Sequence, residues 1–219
     1  ELRLMAHYSQ DALMLDSFNN NEDIHKRTAS EIFGRDIAEI DSDMRRQAKT
    51  INFGLLYGMS AFGLANQLSV SRQEAEIFLE NYFTKYSRVK EFMGEIVEKA
   101  KKDKFVSTIY GRKIHVPNIE SPNYMIRQAS ERAAINGPLQ GTAADIIKVA
   151  MVNLERFFKK NDFDINSILQ VHDELVFEVP EGLNQHDLKE VIDLMENSTT
   201  IDVPLKVELG FGSNWREAH

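Results

Sequence analysis

Four residues spaced four apart carry the most specific chemistry in this chain. Arg45, Lys49, Phe53 and Tyr57 have that spacing, and on a helix each step of four residues rotates the side chain by only about 40°. The four side chains therefore lie along one stripe that is roughly 18 Å long. Two cations at one end suit phosphate oxygens, and two aromatic rings at the other suit the face of a base. This polarity predicts binding of a nucleoside triphosphate.

The alternative interpretation of this stripe is structural, with a solvated pair of cations beside two aromatic residues at the edge of a core. Gly54 and Gly58 lie within the same segment, and each glycine weakens a helix by roughly 1 kcal/mol. That weakness does not suit a purely structural helix, but a helix that moves tolerates it. The glycines therefore favour the functional interpretation.

Two adjacent acids stand between two apolar arms in residues 168–179. Asp173 and Glu174 would lie at the tip of a hairpin, where a hard cation can be held. Mg²⁺ prefers oxygen ligands and usually takes one or two carboxylates together with substrate phosphates and water. The pattern predicts a magnesium site, and the alternative is an ordinary polar turn, in which Asp is favoured.

A third group of polar residues occurs in residues 132–141. Arg132 and Asn136 are four apart on one predicted helix face, and Gln140 follows Gly137-Pro138, where we expect the helix to be interrupted. Arg, Asn and Gln are the residues that contact phosphates and read base edges. The alternative is helix capping and solvent exposure.

Together the three groups predict nucleotidyl transfer by a two-metal mechanism, in which the metals activate a 3′-hydroxyl and stabilise the leaving pyrophosphate.

The composition is that of an ordinary globular protein. The chain has 219 residues, 42% hydrophobic and 27% charged, which is enough for a sizeable core. The absence of cysteine excludes disulfides, thiolate zinc sites and cysteine nucleophiles. No apolar run approaches the length of a membrane span, and no signal peptide is present, so we expect a cytoplasmic location and no membrane partner. The net charge of −8 argues mildly against non-specific nucleic-acid binding.

The hydrophobic periodicity predicts an α+β architecture, with long helices first and antiparallel strands mixed with helices afterwards. Helices are expected over 1–33 with a break at 19–21, from a cap at Asp41 or Ser42 to Tyr57, from 61 to 68, from a cap at Ser71 to 102, over 123–160 with a break at 137–138, and over 188–197. Hairpins are expected around Gly111 and over 167–179, and a last strand over 204–210.

At this level of detail the chain resembles the C-terminal part of a bacterial family A DNA polymerase, of the DNA polymerase I type. The resemblance runs from Glu1 to His219 and rests on three long motifs in the family's order and spacing. The first is Arg45-(x3)-Lys49-(x3)-Phe53-Gly54-(x2)-Tyr57-Gly58, the second is Arg132-Ala133-Ala134-Ile135-Asn136 followed by Gln140-Gly141-Thr142-Ala143-Ala144-Asp145, and the third is Val171-His172-Asp173-Glu174.

The resemblance implies a helical fingers subdomain inserted into an antiparallel-sheet palm. It assigns residues 1–22 to the palm, 23–120 to the fingers and 121–219 to the palm. The family's other essential aspartate lies in a strand motif, Asp-Tyr-Ser-Gln-Ile-Glu-Leu-Arg, of which Glu1-Leu2-Arg3 matches the last three residues. We therefore expect an incomplete palm that lacks its first strand, with no thumb. An unpaired sheet edge also leads us to expect self-association of the truncated palm, which dilution-dependent sedimentation would test.

The resemblance also implies roles for individual residues. Arg45 and Lys49 would bind the triphosphate with His25 beside them, and Lys49 would also protonate the leaving pyrophosphate. Phe53 would pack on the incoming nucleotide, and Tyr57 would lie at the nascent base pair and guard the template slot. Phenylalanine at position 53 also implies discrimination against dideoxynucleotides.

The remaining implied roles concern the DNA, the sugar and the metal. Glu1 would exclude a ribose 2′-hydroxyl, and His172 would lie next to the primer end. Asp173 would bind metal with Glu174 nearby, as part of a site for two Mg²⁺ ions. Three residues would contact the minor groove of the primer–template DNA, namely Arg132, Asn136 and Gln140.

The resemblance therefore implies that the parent protein is a template-directed DNA polymerase that uses dNTPs. Because one catalytic aspartate is not matched, we expect this polypeptide alone to be inactive or nearly so. The alternatives are a non-catalytic fragment or relic that binds nucleotide or DNA, a structural helical domain, and an RNA-making relative, against which Glu1 argues.

Overall fold

The computed structural model describes residues 1–181, 183 and 188–218. The chain divides into two compact units, Glu1–Thr142 and Ala143–His219. The first unit is mainly helical and carries one small hairpin, whereas the second contains a second hairpin and short helices after the end of a long one. The α+β class predicted from the sequence is confirmed.

The helices of the first unit follow the predicted segments, with two further breaks that the sequence analysis did not expect. Gln10, with a φ of 55°, and Asp11, the N-cap of the next helix, interrupt the segment 1–33, and Tyr86 divides the segment from Ser71 to 102 into two helices.

Side chains at the predicted boundaries accept hydrogen bonds from the first backbone N–H groups, as at Asp41, and Ser71 forms a full capping box with Glu74. A 3₁₀ turn lies at Ile37–Glu39. The helices are α1 (Leu2–Ser9), α2 (Ala12–Asn19), α3 (Ile24–Phe33), α4 (Ser42–Leu56), α5 (Ala61–Leu68), α6 (Arg72–Lys85) and α7 (Ser87–Asp103).

The first hairpin has the turn that its glycine predicts. Strands β1 (Phe105–Ser107) and β2 (Lys113–His115) pair antiparallel. Gly111 has a φ of 78°, which glycine adopts without strain, and its N–H donates to the carbonyl of Thr108 at 2.9 Å. The hairpin expected around Gly111 is therefore confirmed.

The break predicted at Gly137-Pro138 is wrong, because α8 runs without interruption over Tyr124–Lys160 with Pro138 inside it. Proline removes one helical hydrogen bond and crowds the preceding turn. Burial compensates here, since Ala134 and Leu139 on either side are fully buried. A Cβ added to Gly137 would lie 3.1 Å from Val106, which is tighter than an ordinary contact, so glycine favours the close packing of the hairpin here. Local propensity is overridden by tertiary packing.

The second unit contains strands β3 (Asn166–Val171) and β4 (Glu174–Glu178), which pair antiparallel, and helices α9 (Lys189–Glu196) and α10 (Trp215–Ala218). The hairpin expected over 167–179 and the helix expected over 188–197 are confirmed, the helix with one residue fewer at each end. Its core is formed by Leu154 and Phe158 of α8, Ile165 directly before β3, Leu188 at the N-cap of α9 and Val191 of α9.

The last strand predicted over 204–210 is wrong. The segment alternates half-buried and exposed residues, which is the period that suggested a strand. However, the backbone N–H of Val207 donates to the carboxylate of Glu196 at 3.0 Å instead of to a neighbouring strand. The segment therefore buries side chains such as Leu209 against the core without joining a sheet.

Strand β3 has one unpaired edge within the part of the chain that the structure describes. Two apolar side chains on this strand, Ile168 and Leu169, are exposed by 59% and 45%. Such an edge is a template for pairing with another strand. The self-association expected from the sequence stays a prediction.

Two helical glycines should respond in opposite ways to the same substitution. A Cβ on Gly141 would lie 2.7 Å from Thr108 and 2.9 Å from Ile114, whereas a Cβ on Gly94 of α7 would meet no atom within 4 Å. We expect Gly141→Ala to destabilise the protein by about 1–3 kcal/mol through overpacking. Gly94→Ala, the matched control, should stabilise it by about 0.5–1 kcal/mol. Urea unfolding measures both, and stabilisation by both variants would contradict the packing described for α8.

Candidate functional site

Helix α4 carries the cation–aromatic stripe and turns it away from the core. Asp41 caps the helix by accepting a hydrogen bond from the N–H of Met44 at 2.8 Å. The opposite face is buried through residues such as Ala48, Ile51 and Leu55. The four stripe residues, Arg45, Lys49, Phe53 and Tyr57, are all half-buried or exposed. The helix expected from the spacing is confirmed, with Tyr57 as its C-cap residue.

Asp23 holds the first cation of the stripe. The Nε of Arg45 donates to the Asp23 carboxylate at 2.7 Å. Asp23 is also the N-cap of α3 and accepts from the N–H groups of His25 and Lys26 at 3.0 and 3.1 Å. Partial burial acts to raise the pKa of Asp23, but the hydrogen bonds from Arg45 and from the two backbone groups outweigh it and lower the pKa. The sequence interpretation missed Asp23, although an Asp directly before Ile24 is an N-cap signal.

The two remaining cations of this region differ in their pairing. Arg46 forms a salt bridge with Asp43 at 2.9 Å and is 75% exposed. Lys49 is exposed, and among the described residues it has neither a hydrogen bond nor an ion pair. Its ammonium group is therefore the cation that a ligand can bind without displacing another group.

His25 lies beside the stripe, as expected. Its ring centroid is 5.8 Å from that of Phe53, and its Nδ1 is 3.1 Å from Nδ2 of Asn52 on α4. Burial is the main cause that lowers the pKa of His25 below its ordinary value of 6.5; Asp23 opposes this effect, and the charges of Arg45 and Lys49 add to it. The imidazole is therefore neutral at physiological pH.

A buried chain of polar groups lies behind His25. The Nδ2 of Asn52 donates to Oγ1 of Thr28 at 3.1 Å, and that hydroxyl is 3.0 Å from the hydroxyl of Tyr86. Asn52, Thr28 and Tyr86 are all fully buried. Burial raises the pKa of Tyr86 to about 12, so its hydroxyl stays protonated. The sequence interpretation gave none of the three a role beside the stripe; an asparagine inside a helix, where its propensity is poor, was the available signal.

The aromatic end of the stripe has polar partners from two other elements. The hydroxyl of Tyr57 donates to the carboxylate of Glu1, and it also interacts with the side chain of Gln140 on α8. Burial is the largest cause that raises the pKa of Tyr57 to about 12; the Glu1 carboxylate adds to it, and Gln140 opposes it. Three residues from distant parts of the sequence thus meet at one hydroxyl.

The group predicted on α8 lies on one face, because the helix is continuous. Arg132, Asn136 and Gln140 are four apart in it. The expectation that Gln140 is aimed independently of the other two is therefore wrong. The side chain of Arg132 crosses Gly58, where an added Cβ would lie 2.8 Å from its Cγ. The carboxamide oxygen of Asn136 is buried and accepts no hydrogen bond from the described residues.

The acidic pair lies in the second unit, at the tip of the β3–β4 hairpin. Val171 pairs with Glu174, so His172 and Asp173 form a two-residue turn. His172 has a φ of 52°, and its carbonyl accepts from the side chain of Gln170 at 2.6 Å. His172 and Asp173 are exposed, whereas Glu174 is half-buried.

The hairpin supplies two oxygen donors in adjacent positions, which fits the one or two protein carboxylates that Mg²⁺ commonly takes. The part of the chain that the structure describes contains no group of three or more acidic or histidine side chains placed to hold a metal. The magnesium site expected at Asp173 and Glu174 stays a prediction.

Three comparisons with known proteins agree with one another. A family model described as DNA polymerase family A matches residues 1–217. DNA polymerase I of Pseudomonas aeruginosa is 48% identical over 219 residues, which are 100% of this chain and 24% of that protein. DNA polymerase I of Caldicellulosiruptor bescii is 45% identical over 219 residues, covering 99% of this chain and 26% of that protein. The resemblance identified from the sequence is confirmed.

A solved structure has the same fold. It is the POL domain of Pol1 from M. smegmatis in complex with DNA primer-template and dNTP, and it is 44% identical with a TM-score of 0.94. The match covers 99% of this chain and 38% of that one. The chain spans about a quarter of the length of the curated relatives it matches. Every helix in the described ranges is too short or too polar to cross a lipid bilayer.

The charges around His25 should shift its titration in opposite directions. We expect its midpoint, followed by NMR of the ring protons, to lie below 6.5. Asp23→Asn should lower the midpoint further, because Asn still caps the helix but removes the anion. Lys49→Gln should raise it, because a cation is lost.

The same shift has a consequence for stability. Because the folded pKa of His25 is lowered, the unfolded state binds the proton more readily below about pH 6.5. The stability contribution of this group is therefore fully present above about pH 6.5 and is lost as the pH falls from there through the lower folded pKa. A titration midpoint above 6.5, or shifts of the same sign in both variants, would contradict the arrangement.

Proposed function

This chain belongs to DNA polymerase family A, and from that premise we propose that it forms the nucleotide-binding and part of the catalytic surface of a template-directed DNA polymerase. The reaction is nucleotidyl transfer from a dNTP to a primer 3′-hydroxyl. The observation that carries the proposal is the stripe on α4, where cations and aromatic rings occupy opposite ends of one exposed face. The solved relative is a complex with primer-template DNA and dNTP, which supports both ligands.

The cationic end of the stripe takes the triphosphate. Arg45 is 41% exposed on its side chain and is paired with Asp23, and exposed pairs of this kind contribute only about 0–1 kcal/mol. A phosphate can therefore replace Asp23 as the partner of the Arg45 guanidinium at little cost in free energy. Lys49 binds the same ligand, and its Nζ donates a proton to the leaving pyrophosphate. His25 adds a neutral hydrogen-bond donor beside them.

The aromatic end takes the base and the sugar. Phe53 packs on the incoming nucleotide, and Tyr57 lies at the nascent base pair. The hydrogen bond from Tyr57 fixes the Glu1 carboxylate, which we propose excludes a ribose 2′-hydroxyl. On α8, Arg132, Asn136 and Gln140 contact the minor groove of the primer–template, whose edges offer acceptors to such donors.

The hairpin of the second unit takes the metal and the primer end. Asp173 and Glu174 would hold Mg²⁺, with His172 next to the primer terminus. Mg²⁺, when bound, stabilises the charge on the attacking 3′-oxygen and on the leaving pyrophosphate. In terms of subdomains, we propose that residues 1–22 and 121–219 belong to the palm and residues 23–120 to the fingers, and that the protein acts in the cytoplasm.

A second candidate function is binding of nucleotide or DNA without turnover. The observation that favours it is that the described residues include no group of three or more acidic or histidine side chains placed to hold a metal ion. Two carboxylates alone hold the metals weakly. We therefore propose that the 219-residue polypeptide binds its ligands but does not extend a primer by itself.

Neighbouring arginines provide a matched test of triphosphate binding. Arg45→Ala and Lys49→Ala should each weaken the affinity for a fluorescent dNTP analogue by about 10- to 100-fold, because each removes charge-assisted hydrogen bonds of about 1.5–3 kcal/mol. Arg46→Ala is the control, since Arg46 is exposed and engaged with Asp43, and it should change the affinity less than about twofold. Equal losses for Arg45→Ala and Arg46→Ala would show a general charge effect and would contradict a built site.

Primer extension then separates the two candidate functions. The isolated chain, with primer–template, dNTPs and Mg²⁺, should bind but give no product above background. A longer protein that contains this sequence should extend the primer and should lose that activity on Asp173→Asn. Robust extension by the isolated chain would overturn the proposal that the polypeptide alone is inactive, and failure of the longer protein would favour the binding function.

A further inference from the structure

The two ring nitrogens of His25 have different surroundings. Nδ1 lies 3.1 Å from the amide nitrogen of Asn52. Nε2 has no hydrogen-bond partner among the residues that the structure describes. The two nitrogens point away from each other across the ring, so Nε2 is the atom that remains for a ligand outside the protein.

Asn52 is held in place from its other side. Oγ1 of Thr28 lies 3.1 Å from the amide nitrogen of Asn52 and 3.3 Å from its amide oxygen. That hydroxyl also pairs with the hydroxyl of Tyr86 at 3.0 Å. All three residues are fully buried, and buried polar groups of this kind are costly to leave unpaired. In this arrangement the amide nitrogen of Asn52 is the atom that lies toward Nδ1 of His25.

This orientation dictates the tautomer of the imidazole. An amide NH₂ group only donates hydrogen bonds, so the nitrogen that faces it must accept. Nδ1 of His25 therefore carries the lone pair, and the single proton of the neutral ring lies on Nε2.

Burial is the main cause that keeps the ring neutral, and the nearby charges of Arg45 and Lys49 add to its effect. The groups that face the ring are Asp23, at the N-terminus of its own helix, and Arg45 and Lys49 from α4. The carboxylate of Asp23 already accepts from Arg45 at 2.7 Å. The half-buried ring of His25 therefore has positively charged side chains on the side that faces α4. A neutral ring with a proton on Nε2 still donates to a phosphate oxygen, whereas the other tautomer would present a lone pair and repel it.

We propose that Asn52, anchored by Thr28, is a positioning residue that holds His25 in the Nε2–H tautomer, so that the imidazole donates a hydrogen bond to the bound triphosphate. Asn52 acts through His25 and does not itself need to touch the ligand. The hydrogen bond to the triphosphate rests on the proposed function of α4. The tautomer does not, because it is a property of the ligand-free protein.

The tautomer is measured by long-range ¹H–¹⁵N NMR of the histidine rings in the ligand-free chain. We expect His25 to show an unprotonated Nδ1 and a protonated Nε2. Asn52→Asp replaces the donor by an acceptor and should move the proton to Nδ1. The control, Asn81→Leu, removes a side chain that donates to the carbonyl of Ile32, also on α3, at 3.2 Å. It should leave the His25 pattern unchanged.

A second variant keeps the test decisive. If Asn52→Asp does not fold, Thr28→Val removes the anchor at nearly constant shape and should convert the single tautomer to a mixture. A wild-type ring with its proton on Nδ1, or an equal mixture in the wild type, would overturn the proposal.

The link to the ligand is tested with dATP and Mg²⁺. Asn52→Leu should weaken dATP binding by about tenfold, the effect of a lost hydrogen bond to a charged group, and should have no further effect in a His25→Ala background. Independent, multiplicative losses would show that Asn52 does not act through His25. If the wild type binds no dATP at all, the proposed function fails, and the NMR measurement alone then decides the tautomer.

Discussion

The contact between α3 and α4 through the side chain of Asn52 is the constraint on which the rest of the candidate nucleotide site depends. A fully buried carboxamide must find hydrogen bonds inside the protein, because leaving its amide unpaired costs about 1–3 kcal/mol. Its partners, His25 and Thr28, are one turn apart on α3. Satisfying both of them fixes the rotation of α4 about its axis. That rotation in turn decides that the face carrying Arg45, Lys49 and Phe53 points outward.

The charges of this face allow a phosphate to replace the protein partner of Arg45. Although the net charge of the chain is −8, the exposed end of α4 is cationic, with one guanidinium held by Asp23 and one ammonium held by no described group. An exposed ion pair is weak, so Asp23 orients Arg45 without competing strongly with a phosphate. The same carboxylate caps α3 next to His25. One acid therefore positions both a cation and a neutral donor at the triphosphate end.

The other end of the stripe depends on close packing around a glycine. Gly58 has a φ of 69°, and the side chain of Arg132 packs so close to it that a Cβ at this position would lie 2.8 Å from the Arg132 Cγ. Tyr57, the preceding residue, shares its hydroxyl with Glu1 and Gln140. Residues near positions 1, 57 and 140 thus converge within the unit Glu1–Thr142. This convergence places the proposed base, sugar and minor-groove contacts next to one another.

The sequence by itself determined the features that local physics controls. The spacing along α4, the Asp41 and Ser71 caps and the turn at Gly111 follow from helix period, side-chain capping and glycine conformation, and all of them are present as expected. The stripe and the acidic hairpin were recognisable because the residue types needed for their chemistry are close together in the sequence. The family resemblance was recognisable for the same reason.

Only the tertiary structure decided the features that depend on distant partners. Burial against the β1–β2 hairpin keeps α8 continuous through Pro138, which local propensity alone would interrupt. The segment 204–210 has the alternation of a strand but joins no sheet, since Glu196 takes the N–H of Val207. The hydrogen-bond partners of Asp23, Thr28, Asn52 and Tyr86 were decided only by the packing of α3, α4 and the α6–α7 junction. A hydrogen bond between residues 24 or 58 positions apart leaves no periodic trace in the sequence, because its geometry is set by the fold and not by the neighbouring residues.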